Sequence, residues 1–198
     1  SALTIGTQQA AALPLPTTFG GGASVTMNGT PAPIVYASPG QINVQVPYEV
    51  GPGSATISVT TPCGASAPTT FDLNDAAPYI FSIGNNVAAV RNQDNSINGP
   101  DNPAASGSVI TVYLTGIGPT DNQPATGAPD TLLAHAKLSN SATIDGVNAP
   151  VGFLGLSPGF VGLAQANLTV PAGLNAGSHP VVINVNGVNS NNPVVYTK

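Results

Sequence analysis

An all-β chain of two tandem sandwich domains is what the sequence predicts, and three observations carry that expectation. Short runs alternate apolar and polar residues in the period-two pattern of half-buried strands. Gly and Pro punctuation is dense, at 23 and 20 residues in 198. One series of turn signals and strands occurs twice, in the same order. The length suits two β-sandwiches of about 100 residues each.

The elements follow in chain order. Ser1-Ala2-Leu3-Thr4-Ile5-Gly6 leads into a polar, Ala-rich stretch, and a turn around Gln8–Ala12 is the only window with any helical character. The first copy of the repeated unit begins at Val25-Thr26-Met27, turns at Asn28-Gly29 and continues through Ala32-Pro33 to Ser38-Pro39-Gly40. Ile42, Val44 and Val46 then alternate with Gln41, Asn43 and Gln45 up to Pro47, and Ile57 and Val59 alternate with Thr56, Ser58 and Thr60 after Gly53-Ser54. Asn-Gly is the tight-turn dipeptide that takes positive φ and joins hairpin strands, and a proline ends a strand because it cannot donate to the ladder.

The second copy repeats each mark. Asp145-Gly146 answers Asn28-Gly29, Ala149-Pro150 answers Ala32-Pro33, and Ser157-Pro158-Gly159 answers the first Ser-Pro-Gly. Ala166-Asn167-Leu168-Thr169-Val170-Pro171 answers Ile42–Pro47, and Gly177-Ser178 with Val181–Val185 completes the unit. Between the copies lie a short apolar strand at Pro78–Phe81, the run Val87–Val90, a polar loop from Asn92 to Pro103, and a clear strand at Ser108–Gly116 with Ile110, Val112 and Leu114 on one face. The expected domains are therefore residues 1–75 and residues 76–198, the second preceded by a hairpin and polar loop over 76–107. Both are expected to be immunoglobulin-like sandwiches, related by internal duplication.

Composition narrows the function classes. Charged residues are 6% of the chain, against about 25% in typical soluble proteins, yet 41% of residues are hydrophobic and the mean hydropathy is +0.19. Such a chain folds rather than staying disordered, with a surface of Asn, Gln, Ser and Thr. The net charge is −5, and the only basic residues are Arg91, Lys137 and Lys198. Three scattered cations cannot track a phosphate backbone or an anionic membrane, so neither nucleic acid nor membrane insertion is expected. No apolar run approaches the roughly 20 residues of a membrane span. Weakly charged, Asn- and Thr-rich β-proteins of this kind are expected outside the cell, with any targeting segment already removed. Cys63 is the one cysteine, so no internal disulfide forms.

Taken together, several motifs resemble one family. Leu13-Pro14-Leu15-Pro16-Thr17-Thr18, Val25–Pro33, Tyr36–Pro47, Asn92-Gln93-Asp94, Asn102–Ala105, Thr115-Gly116-Ile117-Gly118-Pro119 and Ser157–Leu163 resemble the uncharacterised Solibacter-type C-terminal domain of acidobacterial secreted proteins. The resemblance covers nearly the whole chain. It implies tandem IPT/TIG immunoglobulin-like domains at the end of an exported protein, and because the role of that family is generally unassigned it sharpens the fold more than the function. In that family pattern a strand like Gly107–Gly118 precedes the first copy, whereas Ser1–Gly6 looks like its tail or less.

A first domain without its leading strand exposes unpaired backbone groups beside an uncovered core, which invites a strand from elsewhere. Ser1, Ala2, Leu3, Thr4 and Ile5 are the candidate assembly residues. The expected partners are copies of this chain or neighbours on a parent polypeptide, and a protein with little surface charge has little repulsion to keep copies apart. The other expectations are that residues 1–15 fill the edge within the same chain, or that the natural N-terminus has been trimmed.

No catalytic constellation is expected. His135 and His179 lack a nucleophile elbow, and His179, between Gly177-Ser178 and Pro180, reads as a solvated turn residue. The acids Asp72, Asp75, Asp94, Asp101, Asp121, Asp130 and Asp145 mostly fall in turns, with Glu49 beside them in the count. Asp94, Asn98 and Asp101 form a weak calcium candidate without EF-hand spacing, and no cofactor is expected. The chief alternative to a structural role is a carbohydrate- or surface-binding adhesion module. It is poorly supplied, since Trp is absent and Tyr36, Tyr48, Tyr79, Tyr113 and Tyr196 are spread along the chain.

Overall fold

The computed structural model describes residues 7–19 and 21–198. No helix occurs among them, and the strands form four antiparallel sheets. The chain divides into two compact units. The first is Ser1–Asp75 together with Pro124–Thr131 and Gly159–Gly162, and the second is Ala76–Gln123, Leu132–Pro158 and Leu163–Lys198. The two short excursions, which lie in the second domain by sequence order, join the first unit for a hydrogen-bonding reason. Gly127 N–H donates to Gln45 Oε1 at 2.7 Å, Leu15 N–H donates to the Gly127 carbonyl at 2.8 Å, and Thr126 Oγ1 both accepts from Tyr48 N–H and donates to Glu49.

In the first unit the strands are β1 (Gln8–Gln9), β2 (Thr18–Phe19), β3 (Ala23–Met27), β4 (Thr30–Pro31), β5 (Ile34–Ser38), β6 (Gln41–Val44), β7 (Gly53–Thr61), β8 (Gly64–Ala65) and β9 (Thr69–Leu73). One sheet runs β1-β5-β6; the other runs β2-β3-β7-β8, with β4 on β3 and β9 on β7. The helical turn expected at Gln8–Ala12 is instead β1. Gln8 and Gln9 register with Ala37 and Tyr36, and Ala10 N–H donates to the Val35 carbonyl at 2.9 Å. An isolated turn of helix fixes several dihedrals for one hydrogen bond, and Pro14 and Pro16 close off any extension. Sheet pairing therefore prevails.

The second unit holds β10 (Tyr79–Ile80), β11 (Val90–Arg91), β12 (Val109–Thr115), β13 (Asn140–Ile144), β14 (Val147–Asn148), β15 (Val151–Leu156), β16 (Ala164–Thr169), β17 (Gly177–Val185), β18 (Val188–Asn189) and β19 (Val194–Thr197). One sheet is β10-β12-β16-β15 with β11 on β12; the other is β14-β13-β17-β18 with β19 on β17. Alternate residues of both sheets enter a single core: Ile110, Val112 and Leu114 from β12, Leu168 from β16, and Val181, Ile183 and Val185 from β17. This is the sandwich arrangement in which each strand gives one face to the interior.

The duplication read from the sequence extends into geometry. Asn28-Gly29 and Asp145-Gly146 both take positive φ at the hairpins β3-β4 and β13-β14. Both copies break register at the same place, between Ile34 and Tyr36 in β5 and between Val151 and Phe153 in β15. The succession β7, β8, β9 matches β17, β18, β19 in pairing: a long strand whose end turns back on itself and whose start takes the last strand.

Candidate functional site

The copies differ at one position. In the second unit β16 is an interior strand, with β15 on one side and β12 on the other. Its first-unit counterpart β6 has β5 on one side and, among the described residues, no strand on the other. β1 lies at the far edge of the same sheet, beyond β5, so the pairing found for the N-terminal residues does not cover β6.

Beside this open edge lies a groove of about 440 Å³. Gly40, Ile42 and Val44 form one wall, Val25, Ile57 and Val59 the other, and the Cys63–Ser66 turn closes one end. The groove occupies the place that β12 fills in the second unit. There Ile110, Val112 and Leu114 are each fully buried. Burying side chains of this size is worth about 1.5–3 kcal/mol each, and among the described residues of the first unit nothing takes their place. Its facing strand shows the deficit. Val181, Ile183 and Val185 of β17 are buried, whereas Ile57, Val59 and Thr61 at the matching positions of β7 are only partly covered. Past the strand ends, Val170 is 1% exposed and its counterpart Val46 is 41% exposed.

No charged side chain lines the groove. The chemistry it offers is a row of backbone groups along β6 and an apolar floor, which suits an extended peptide. Polar organisation sits at the far end of β6. Burial raises the Tyr48 phenol above its usual range, a hydrogen bond with Gln45 works against this, and the Asp130 charge adds to the rise.

The remaining candidates are placed as follows. Ser1, Ala2, Leu3, Thr4 and Ile5 lie outside the described residues. Asp94 closes an Asx turn, accepting from Ser96 Oγ at 2.6 Å and Ser96 N–H at 3.0 Å, and these bonds hold its carboxyl below the usual carboxylate range. Asp101 is exposed. Asn98 is buried, and its amide clamps the backbone of Tyr196: Oδ1 accepts from Tyr196 N–H at 2.7 Å, while Nδ2 donates to the Tyr196 carbonyl and to Asn92 Oδ1, both at 2.9 Å. Asn98 thus serves as a strand neighbour for β19. Asn98→Ala is expected to cost about 1–3 kcal/mol through orphaned backbone groups, read as a lower urea midpoint with an unchanged slope. No group of three or more His, Cys, Asp or Glu side chains suited to a metal occurs among the described residues.

His179 corrects one expectation. It is buried rather than solvated, with Nδ1 at 3.2 Å from Asp145 Oδ2 and Nε2 at 2.8 Å from the Asn175 carbonyl. Strand β17 carries it beneath the Asp145-Gly146 turn, a long-range placement that its Gly-Ser-His-Pro setting does not reveal. His135 is exposed and meets Phe153 edge-on, with centroids 5.0 Å apart. Cys63 is exposed at the groove end.

Sequence reasoning also missed an aromatic face. Tyr79 and Phe81 flank the buried Ile80 and are 54% and 41% exposed. Tyr113, between buried Val112 and Leu114, points the same way, and its carbonyl accepts from Phe81 N–H. On that face Ser157, Gln165, Asn167 and Thr111 form a hydrogen-bonded chain. No family model, curated protein or solved structure matches the chain.

Proposed function

We propose that this chain is a non-catalytic, extracellular structural or interaction protein of two tandem immunoglobulin-like domains, which self-associates by strand pairing at the open edge of β6. The observation that carries this reading is the edge of β6, which no strand pairs among the described residues, measured against the second unit, where β12 pairs the matching edge of β16 with three buried side chains. Membership of the Solibacter-type domain family belongs to the same reading and fits a secreted, weakly charged chain. An exposed sheet edge over an apolar groove is a template for another strand, and natural monomers protect such edges with lysines or prolines. Here β6 reads Gln41-Ile42-Asn43-Val44, with neither.

Electron microscopy with sizing over a wide concentration range tests it. Filaments, sheets or concentration-dependent oligomers are the expected result. A monomer at every concentration contradicts self-association.

A carbohydrate- or surface-binding role is the second reading, favoured by the Tyr79, Phe81 and Tyr113 face beside an amide-rich polar chain. Aromatic rings stack on apolar sugar faces while amides bond hydroxyls. Glycan-array binding by monomer, lost in Phe81→Ala, supports this role over the first.

A further inference from the structure

We propose that the outer face of the sheet β10-β12-β16-β15 binds an uncharged, flat polysaccharide of the cellulose type, laid across the strands from Phe81 over Tyr113 and Gln165 to Phe153. This rests on the second reading above and adds the ligand class, the extent of the site and the direction of the bound chain.

Strand pairing sets one row of residues across the sheet. Phe81 N–H donates to the Tyr113 carbonyl at 3.0 Å, Tyr113 lies opposite Gln165, and Gln165 lies opposite Gly155. Gly155 has no side chain, and the Phe153 ring takes that space: a Cβ built on Gly155 would meet Phe153 Cζ at 2.5 Å. The row therefore has aromatic rings at both ends and an amide between them. Three strand spacings separate its ends, about 14 Å at about 4.8 Å each, a span that suits several sugar rings rather than one.

The row is held in place by its own unit. Asn191 Oδ1 accepts from Ile80 N–H at 2.7 Å and Asn191 Nδ2 donates to the Ile80 carbonyl at 3.0 Å, so the exposed Tyr79 and Phe81 are carried on a fixed backbone. His135 meets the Phe153 ring edge-on, with centroids 5.0 Å apart. Asn167 Oδ1 accepts from Thr111 Oγ1 at 3.2 Å and from Gln165 Nε2 at 3.4 Å, which leaves the Asn167 amide NH2 to donate to ligand hydroxyls. Rings and amides fixed in this way lose little freedom on binding.

Charge selects the ligand class. The five strands of this sheet contain no Asp or Glu, and their one cation, Arg91, donates Nη1–H to the Asn95 carbonyl at 2.9 Å. A chain of net charge −5 repels a polyuronate. Aromatic faces beside uncharged amides and hydroxyls match a neutral glycan whose equatorial hydroxyls leave the ring faces apolar.

Titration calorimetry of the dilute full chain tests this with cellohexaose, cellobiose and hexagalacturonate. Cellohexaose is expected to bind. Cellobiose, too short to reach from Phe81 to Phe153, is expected to bind at least tenfold more weakly, and the acidic hexamer not at all. Phe81→Ala and Phe153→Ala are each expected to weaken cellohexaose about tenfold, the size of a lost aromatic contact. Phe160→Ala, which removes an exposed ring outside this sheet, is expected to change nothing. If Phe153→Ala fails to fold, Gln165→Ala replaces it as the probe beyond Tyr113. Loss in Phe81→Ala with full binding by Phe153→Ala or its replacement overturns the track across the sheet, while the second reading stands. Binding of the acidic hexamer as tight as that of cellohexaose overturns the neutral class and likewise spares that reading. Absence of cellohexaose binding overturns the proposal, and a glycan array that is also silent overturns the reading beneath it.

Discussion

Gly116→Ala is expected to destabilise the second unit by about 3–5 kcal/mol, the range of severe backbone lesions. A Cβ at this position would lie 1.9 Å from the Ala77 carbonyl oxygen and 2.5 Å from its carbon. The neighbour is backbone and has no side chain to swing aside. The same residue is held from the other side, since Ala77 N–H donates to the Gly116 carbonyl at 2.9 Å. Residue 116 also has φ +75, which costs an L-residue roughly 1–2 kcal/mol by itself. Relief requires moving the strand that carries Tyr79 and Ile80 away from β12. Gly146→Ala is the control: its φ is +74, but its Cβ would meet nothing within 4 Å. Only the conformational cost is expected there. Urea unfolding of both variants checks the difference, and equal losses would show that the close approach of Ala77 contributes nothing.

The second large effect is a contrast between the copies. Ile183→Ala is expected to cost about 2–5 kcal/mol, the range for removing most of a buried aliphatic side chain. Ile183 is 1% exposed and packs among the buried residues of β12, β16 and β13. Ile57→Ala, at the position on β7 that matches Val181, is expected to cost about 1 kcal/mol in the monomer, because a partly exposed side chain forfeits less transfer energy. The same substitution removes part of the groove floor and is expected to lower association as well. Thermal unfolding in dilute solution measures the first quantity, and light scattering measures the second. Equal stability losses at the two sites would mean that the groove is already filled in the monomer.

Much of this architecture is legible from local sequence because its determinants are local. Asn28-Gly29 and Asp145-Gly146 specify turns through their own φ preferences. The alternation in Ile110–Leu114 and Val181–Val185 specifies which face is buried, whereas in Ile42–Val46 it holds only over Ile42–Val44 and fails beyond, where Gln45 is buried and Val46 is 41% exposed. The doubled series of these marks gives the duplication, and the strand at Ser108–Gly116, present once, points to the edge that matters. What escapes is set at a distance. Two-residue strands such as β1 and β2 carry no period to detect, and they exist because a longer neighbour offers an edge. Asn98 reads as one more loop amide until β19 is laid against it. His179 reads as a turn residue until the Asp145 hairpin covers it. The excursions Pro124–Thr131 and Gly159–Gly162 look like second-copy loops, and only the side chains of Gln45 and Glu49 and the backbone N–H of Tyr48 show where the first of them belongs. The aromatic face forms from Tyr79, Phe81 and Tyr113, residues from two strands that only sheet pairing brings together.

The central claim is that β6 accepts a strand, and hydrogen exchange of the Gln41–Val44 amides as a function of protein concentration tests it most directly. The amides not bonded to β5 are predicted to exchange freely in dilute monomer and to gain protection in step with association. Exchange of these amides that stays unchanged while the protein associates would contradict the account.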